Sequence, residues 1–497
     1  VAELKEDHLD PSLELSLEAV KKRAVKGVVV LTGRTFILTL LSFFATALLT
    51  VYLDPSQFGV FWIVSAFVNF LTYFSDIGLA AALIQKKGKL DDNDLSTTFF
   101  VQQFLVVLIL LVLLLVSPLV SQFYNLNFEG KLLLYALGFS LFLSSLKTIP
   151  SVLLERELNF GKLVIPQILE NLTYNFLIVI LAWKGFGLRS FTYAVIARGL
   201  VGLITMYVLR PWRPRIAFSR SSFSGLIKFG LPYQLNTFLA TIKDDGLTAV
   251  LGGILGGYGV GLLGWAQKWG QAPLRFFMDQ VIKVTFPAFS RIQDNKDELR
   301  SSLERSLFFI SFLVFPSLFG LLALAPLLVH IVPRYLKWEP ALIPLYLVGV
   351  NTIFAAITTQ LTNLLNAVGK IKTTFKLMVM WTVLTWLFIP FLAIRFGVNG
   401  AAFGYSLLGL SSVVAIIVVY RFLPFSFSRS FLKPFFASVI MFFVVLILRS
   451  VLPLSFLSFI VLVAAGIITY TILIYLFVGD LLKEDVKKSL KIFFNKK

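Results

Sequence analysis

The chain has no cysteine and only two histidines in 497 residues, His8 and His330. Disulfides, thiolate metal sites and cysteine nucleophiles are therefore excluded, and imidazole acid–base or metal chemistry has almost no material. Charge is scarce too: Asp, Glu, Lys and Arg make up 14% of the chain, against roughly 25% in a soluble domain. What takes their place is apolar. Hydrophobic residues account for 58% of the chain and the mean hydropathy is +0.86. Apolar runs of about 20 residues, enough to cross a hydrocarbon layer of about 30 Å, recur from Gly27 to Phe477 with only short polar breaks. No stretch among them has room for a soluble domain.

The pattern predicts an all-α polytopic membrane protein with fourteen spans, the first from Gly27 and the last ending at Val478. The 26-residue polar segment before the first run is too long for a signal peptide, so that run is expected to be a retained span. The formal charge of +19 raises the question of nucleic acid, but placement decides it. With the N-terminus inside, thirty Lys and Arg fall in alternate inner segments, from Lys21, Lys22 and Arg23 to the six lysines of the C-terminal tail. Seven fall outside: Lys131, Lys184, Arg189, Arg334, Lys337, Arg395 and Arg449. That asymmetry predicts both termini in the cytoplasm at a cell membrane and makes the basic excess topological, with no nucleic-acid partner needed. Leu13, Leu17 and Val20 share a helical face ahead of the first basic cluster, a pattern that suits either a helix on the inner membrane surface or a frayed tail.

An internal repeat is visible. Phe186-Gly187 and Phe396-Gly397 open the sixth and twelfth spans, and at the same offset Gly199-Leu200 falls on Gly409-Leu410. Phe58-Gly59-Val60 and Tyr258-Gly259-Val260 open the second and eighth. These matches predict two six-helix lobes of like orientation with pseudo-two-fold symmetry, plus two appended C-terminal helices. The divisions are a tail over 1–26, an N-lobe over 27–222, a C-lobe over 223–424, two further spans over 425–480 and a basic tail over 481–497.

Two short motifs are discounted by context. Gly259-Val-Gly261-Leu-Leu-Gly264 satisfies GxGxxG but opens a membrane helix, where small residues serve close packing. Asn171-Leu-Thr173 matches a glycosylation acceptor but lies inside a span. The informative residues are the charges within spans, each costly in hydrocarbon and normally turned to a bundle interior or a wet cavity. Seven are basic: Arg34, Lys147, Arg198, Lys243, Lys268, Arg275 and Lys283. Five are acidic: Asp76, Glu170, Asp244, Asp245 and Asp279. Helical spacing puts Ser65, Asn69, Thr72 and Asp76 on one face of the second span, and Ser140, Ser144, Lys147 and Ser151 on one face of the fourth. The eighth carries Lys268, Ala272, Arg275 and Asp279 in the same way, and the seventh Tyr233, Asn236, Ala240, Lys243 and Asp244, with Asp245 about 100° further round. The tenth adds Thr352, Thr359, Asn363 and Asn366. In the plainer account these charges only pair with one another, Glu170 with Arg198 or Lys243 with an Asp. In the alternative they line a wet, net basic central cavity, which suits an anionic, polar substrate held by charge-assisted hydrogen bonds.

Asp54-Pro-Ser-Gln-Phe-Gly59 followed by Ser75-Asp-Ile-Gly-Leu-Ala-Ala-Ala-Leu-Ile-Gln85 resembles the opening of the polysaccharide transporter, or oligosaccharide flippase, family. That family lies within the multidrug/oligosaccharidyl-lipid/polysaccharide exporter superfamily. Leu154-Glu-Arg-Glu-Leu-Asn-Phe160, Phe286-Pro-Ala-Phe-Ser-Arg-Ile-Gln293, Trp338 to Ala341 and Leu365-Asn-Ala-Val-Gly-Lys370 extend the resemblance over about Val20 to Arg421. Gly257-Tyr-Gly-Val-Gly-Leu-Leu-Gly-Trp-Ala266 departs from it, with Trp265 near a position where the family usually has Tyr, which leaves the substrate type open. The resemblance implies two lobes forming a V around a cationic cavity, alternating access, and a polyprenyl-diphosphate-linked oligosaccharide as cargo in the bilayer. Polysaccharide polymerase or glycosyltransferase partners fit such a role. Under it, Lys147, Lys268 and Arg275, with Arg34, Arg198, Asn236 and Lys243, are candidates for substrate contact. Asp76, Asp244, Asp245, Asp279 and Glu170 are candidates for proton or sodium coupling or charge balance. No cofactor, metal site or catalytic residue is expected. The alternatives are a lipid-linked peptidoglycan precursor flippase and a multidrug or cation antiporter of the same superfamily, the latter wanting an acidic cavity. A membrane polymerase or glycosyltransferase would need a sizeable outer-side segment, and the outer breaks are all short.

Overall fold

Helix α4 (Asp92–Phe123) shows why this composition folds as it does. Val106, Ile109, Leu113, Ser117 and Val120 step by three and four and are buried, whereas Leu108, Leu111, Leu115 and Leu119 step likewise on the opposite face and are exposed. Both faces are apolar, so the periodicity that would separate core from water here separates core from lipid. The same arrangement recurs along the chain. The computed structural model describes residues 17–494 apart from 87 and 89, with side chains over 33–478 except 232–233 and 235–240. Among the described residues every regular element is helical.

The elements are α1 (Leu17–Tyr52), α2 (Pro55–Thr72), α3 (Leu79–Gln85), α4, α5 (Phe128–Leu146), α6 (Thr148–Arg156), α7 (Phe160–Trp183), α8 (Arg189–Leu209) and α9 (Arg220–Thr241). They continue with α10 (Leu247–Gly270), α11 (Ala272–Arg291), α12 (Lys296–Ile331), α13 (Leu342–Ala367), α14 (Ile371–Ser411), α15 (Val413–Phe422), α16 (Lys433–Val451) and α17 (Phe456–Phe494). Twelve stretches among the described residues are long and apolar enough to cross a membrane, so the chain is a multi-pass membrane protein. The difference from fourteen has a local origin. One stretch, Ile371–Phe422, contains Gly397 at φ 60°, and another, Ile242–Gly270, contains Gly256 at φ 64°, so each apparent single helix is two helices joined by a sharp turn. The helix α1 runs unbroken from Leu17, so Leu17 and Val20 belong to the same helix as the first span, while Leu13 lies outside the described residues.

Three expected spans are interrupted. The second breaks at Tyr73–Gly78 between α2 and α3, the fourth at Lys147 between α5 and α6, and the eighth at Gln271 between α10 and α11. The polar stripes drawn through Asp76, through Lys147 and through Lys268 to Asp279 therefore do not lie on single continuous helices. The seventh span does continue through its charges, but Ile242–Gly246 is a π-helical turn. A turn with i→i+5 bonding shifts the helical register, so the face assignments expected for Lys243, Asp244 and Asp245 on an unbroken α-helix do not carry across it.

The chain packs as two compact units, 1–261 and 262–497. In the first, Leu79, Leu83, Leu95, Phe99, Ile149, Val152 and Leu226 bring α3, α4, α6 and α9 together. In the second, Phe289, Leu307, Ile310, Phe315, Leu361, Leu364 and Val419 bury the contact of α11, α12, α13 and α15. The helices α16 and α17 pack on α12 through Met441, Val445, Leu462 and Ile474. The repeat seen in the sequence recurs within each unit. Gly187 and Gly397 both take positive φ, 54° and 60°, at the turn that precedes the sixth and the twelfth span, a conformation glycine adopts without Cβ strain. Gly199 then lies against Ser140 and Leu143 of α5, and Gly409 against Asn351 of α13.

Candidate functional site

Helix α7 organises the largest cluster of intramembrane charge among the described residues of the first unit. Its residues Gln167, Glu170 and Tyr174 step by three and four and so share a face. Onto that face come Arg34 from α1, Lys147 from the joint between α5 and α6, and Arg198 from α8. Arg34 donates to Oε1 of Gln167 and also reaches Oγ1 of Thr35 at 3.5 Å. Lys147 donates to Oε1 of Glu170, and Nε of Arg198 lies 3.8 Å from the other carboxylate oxygen. The Arg198 guanidinium also sits over the Tyr174 ring, 5.8 Å from its centroid, within the range of a cation–π contact. Two cations thus share one carboxylate, and a third, Arg34, is held on Gln167 of the same face.

Burial is graded across the cluster. The Glu170 side chain is 8% exposed, Lys147 19% and Arg198 45%. Glu170 lies deep because α8 presents Gly202 to it, where a Cβ would stand 1.9 Å from Oε1. The joint that places Lys147 leaves the helical ladder at φ −90°, ψ 0°. Nearby hydroxyls and amides are tied down separately, Gln102 to Thr148 at 3.0 Å, Gln103 to Ser145 at 3.1 Å, and the Tyr207 hydroxyl to the Leu146 carbonyl at 3.0 Å. Of the residues singled out in the sequence, Arg34, Lys147, Arg198 and Glu170 come together here. Gln167 and Tyr174, which complete the site, carry no charge, and their only signal in the sequence is the three-four spacing about Glu170.

The charges of the seventh span form a second, smaller group. Nζ of Lys243 lies 3.4 Å from Oδ1 of Asp244, while Asp245 accepts a hydrogen bond from the Asn69 side chain of α2. Asp244 therefore balances Lys243, and Asp245 joins the helices. The side chain of Asn236 falls outside the described residues. In the second unit Lys268 and Arg275 flank the break at Gln271 and are close enough to interact electrostatically. Arg275 donates to Oε1 of Gln271 at 3.3 Å. Neither cation pairs with a carboxylate among the described residues, and Asp279 on α11 is exposed. Asp76 takes a different place. Its Oδ1 accepts from the backbone N–H of Leu79 and Ala80 at 3.0 and 3.2 Å, so the carboxylate ties down the start of α3.

Two of the motifs that carried the family resemblance, those ending at Gln85 and at Phe160, meet at joints in the first unit. Arg156 donates to the carbonyls of Leu83, Lys86 and Gly88 at 2.6, 2.8 and 2.8 Å, which satisfies the end of α3. Lys86 pairs with the nearly fully buried Asp94 at 2.5 Å, and Arg210 with Glu157 at 2.9 Å. Among the described residues no group of three or more His, Cys, Asp or Glu side chains could hold a metal ion.

The arrangement is that of a polytopic helical membrane protein with a basic cluster inside its membrane-spanning part. A family described as "Polysaccharide biosynthesis protein" matches residues 48–342, more than half of the chain, and the chain belongs to that family. It is 23% identical over 401 residues to the lipopolysaccharide biosynthesis protein WzxC of Escherichia coli (strain K12), a match covering 80% of each chain. It is also 23% identical over 291 residues to the succinoglycan biosynthesis transport protein ExoT of Rhizobium meliloti (strain 1021), covering 57% of each. Among solved structures, the lipid II flippase MurJ in an inward closed conformation overlays with a TM-score of 0.74 at 18% identity, over 91% of this chain and 100% of that one. At that identity the likeness is one of fold.

Proposed function

We propose that the chain is a flippase for lipid-linked oligosaccharides. It would move polyprenyl-diphosphate-linked glycan repeat units from the inner to the outer leaflet of the cytoplasmic membrane for cell-surface polysaccharide assembly. The observation that carries this reading is the convergence of Arg34, Lys147 and Arg198 on one face of α7 against the single carboxylate of Glu170. An excess of cations within spans is costly in lipid and is repaid where the cations meet a polar, anionic cargo. A diphosphate, with several acceptor oxygens and more than one negative charge, is such a cargo. The lipopolysaccharide biosynthesis role named for WzxC and the succinoglycan biosynthesis transport role named for ExoT support a cargo from polysaccharide assembly.

In this reading Lys268 and Arg275 provide a second cationic patch in the C-terminal half. Lobes over 27–222 and 223–424 expose a cationic cavity to each side in turn, and both termini face the cytoplasm, as the distribution of Lys and Arg favours. Coupling to a proton or sodium ion would fall to Glu170, Asp244, Asp245 or Asp279 rather than to Asp76, whose carboxylate is engaged by the backbone. The net basic character of the α7 cluster disfavours a cation extruder. The reading is tested by export of surface polysaccharide in cells that carry Lys147→Ala, Lys268→Ala or Arg275→Ala in place of the native chain. Loss of export with folded protein retained in the membrane is expected for each; native export by all three would end the cationic-cavity account.

A further inference from the structure

A site with three cations must also exist empty, between delivering one cargo and taking the next. Unpaired guanidinium and ammonium groups within spans would then be strongly unfavourable. The geometry about Glu170 answers this. Its two carboxylate oxygens are divided between two cations from different elements, Oε1 to Lys147 and Oε2 to Arg198. The carboxylate sits behind them against Gly202, with no side chain between it and the backbone of α8, whereas the cations stand progressively further out on flexible stems. The Arg198 contact, 3.8 Å from Nε, is an ion pair longer than a hydrogen bond.

We propose that Glu170 is a tethered competitor for the anion of the cargo, holding Lys147 and Arg198 when the site is empty and giving them up to a diphosphate when it is filled. The inference rests on reading the α7 cluster as the anion site. A dianion in front of the two cations offers them more charge and more acceptors than the single carboxylate behind, so the side chains can turn outward without crossing an uncompensated state. The exchange also sets the affinity. Cargo binding is weakened by the carboxylate it displaces, and release is assisted because that carboxylate takes the cations back. A transporter needs such a balance, since a site that binds too tightly does not let go. The groups facing Glu170 in this exchange are Lys147 from the α5–α6 joint, Arg198 and Gly202 from α8, and Gln167 and Tyr174 from its own helix, with Arg34 of α1 held on Gln167.

The test uses the full chain in nanodiscs of zwitterionic lipid, with inorganic pyrophosphate as the probe and calorimetric titration as the readout. Glu170→Gln removes the competing charge and keeps the shape. It is expected to bind pyrophosphate about tenfold more tightly than the native chain, about 1.4 kcal/mol, while inner-to-outer transfer of lipid-linked glycan in proteoliposomes slows. Where Glu170→Gln does not fold, Glu170→Asp carries the test, since it draws the carboxylate back from both cations and is expected to tighten binding about threefold, roughly 0.65 kcal/mol. Unchanged or weaker pyrophosphate binding by the folded variant, with Lys147→Gln and Arg198→Gln still weakening it, overturns the competitor and leaves the anion site standing. Pyrophosphate affinity indifferent to Lys147→Gln and Arg198→Gln overturns the anion site itself, and the competitor with it.

Discussion

Lys147 and Glu170 are an ion pair inside the membrane-spanning part of the first unit, one at the break between α5 and α6 and the other in the middle of α7. Glu170 is the more deeply placed of the two, so the pair is sensitive to which partner is lost. Lys147→Ala leaves the buried carboxylate with only the longer contact to Arg198. Removing one partner of a buried pair costs about 3–5 kcal/mol, and the partial exposure of Lys147 puts this case at the lower end. Thermal unfolding in nanodiscs is expected to show a lower Tm, polysaccharide export is expected to fall at least tenfold, and Lys147→Arg is expected to recover the Tm.

Gly202 is predicted to be intolerant of any side chain. A Cβ at that position would stand 1.9 Å from Oε1 of Glu170, so Gly202→Ala must push the carboxylate away from Lys147 or separate α7 from α8. Overpacking of this kind costs about 1–3 kcal/mol. Membrane-inserted Gly202→Ala should unfold at lower temperature and lose transfer, whereas Gly225→Ala, where a Cβ meets nothing within 4 Å, should behave as the native chain.

Asp76 separates a structural from a coupling role. Its hydrogen bonds run to the N–H groups of Leu79 and Ala80, a task that Asn performs nearly as well as Asp, while Ala at such a position costs about 1 kcal/mol. Asp76→Asn is expected to export at near-native level and Asp76→Ala to lose stability. Folded Asp76→Asn protein without export would show that the charge itself is used.

Arg156 reaches four carbonyls, those of Leu83, Ile84, Lys86 and Gly88, with two guanidinium nitrogens, which a lysine ammonium cannot reproduce in the same fork. Hydrogen bonds of charged donors are worth about 1.5–3 kcal/mol each, and solvent at this joint reduces that, so Arg156→Lys is expected to lower stability by about 2 kcal/mol. Pyrophosphate affinity should not change, because Arg156 belongs to the joint at the end of α3 and not to the α7 cluster. A changed affinity at unchanged stability would contradict that division.

The sequence and the structure agree most closely where hydropathy and period act over many residues. The two faces of α4, the paired turns at Gly187 and Gly397 and the parallel packing of Gly199 and Gly409 follow from patterns visible in the chain alone. The breaks at Lys147, at Tyr73–Gly78 and at Gln271 were hidden, because interrupting a helix inside a span changes its backbone bonding but not its apolar content. The π-helical turn at Ile242–Gly246 was hidden for the same reason, and with it the choice of Asp244 over Asp245 as partner of Lys243. At the candidate site the charged members were legible as costly intrusions, and Glu170 with Arg198 was an anticipated pair. The addition of Lys147 to it, and the roles of Gln167 and Tyr174, depend on how α1, α5 and α8 meet α7, which spacing along one helix does not encode.

The central claim is that the cations gathered on α7 carry an anionic, lipid-linked cargo across the bilayer. Its most direct measurement is the rate of inner-to-outer transfer of a fluorescent polyprenyl-diphosphate oligosaccharide in proteoliposomes of the purified chain. The native chain, Lys147→Gln and Arg198→Gln are compared after each is shown to be folded and inserted. Transfer by the native chain with at least a tenfold loss in both variants is the predicted result, and equal transfer by all three proteins would contradict it.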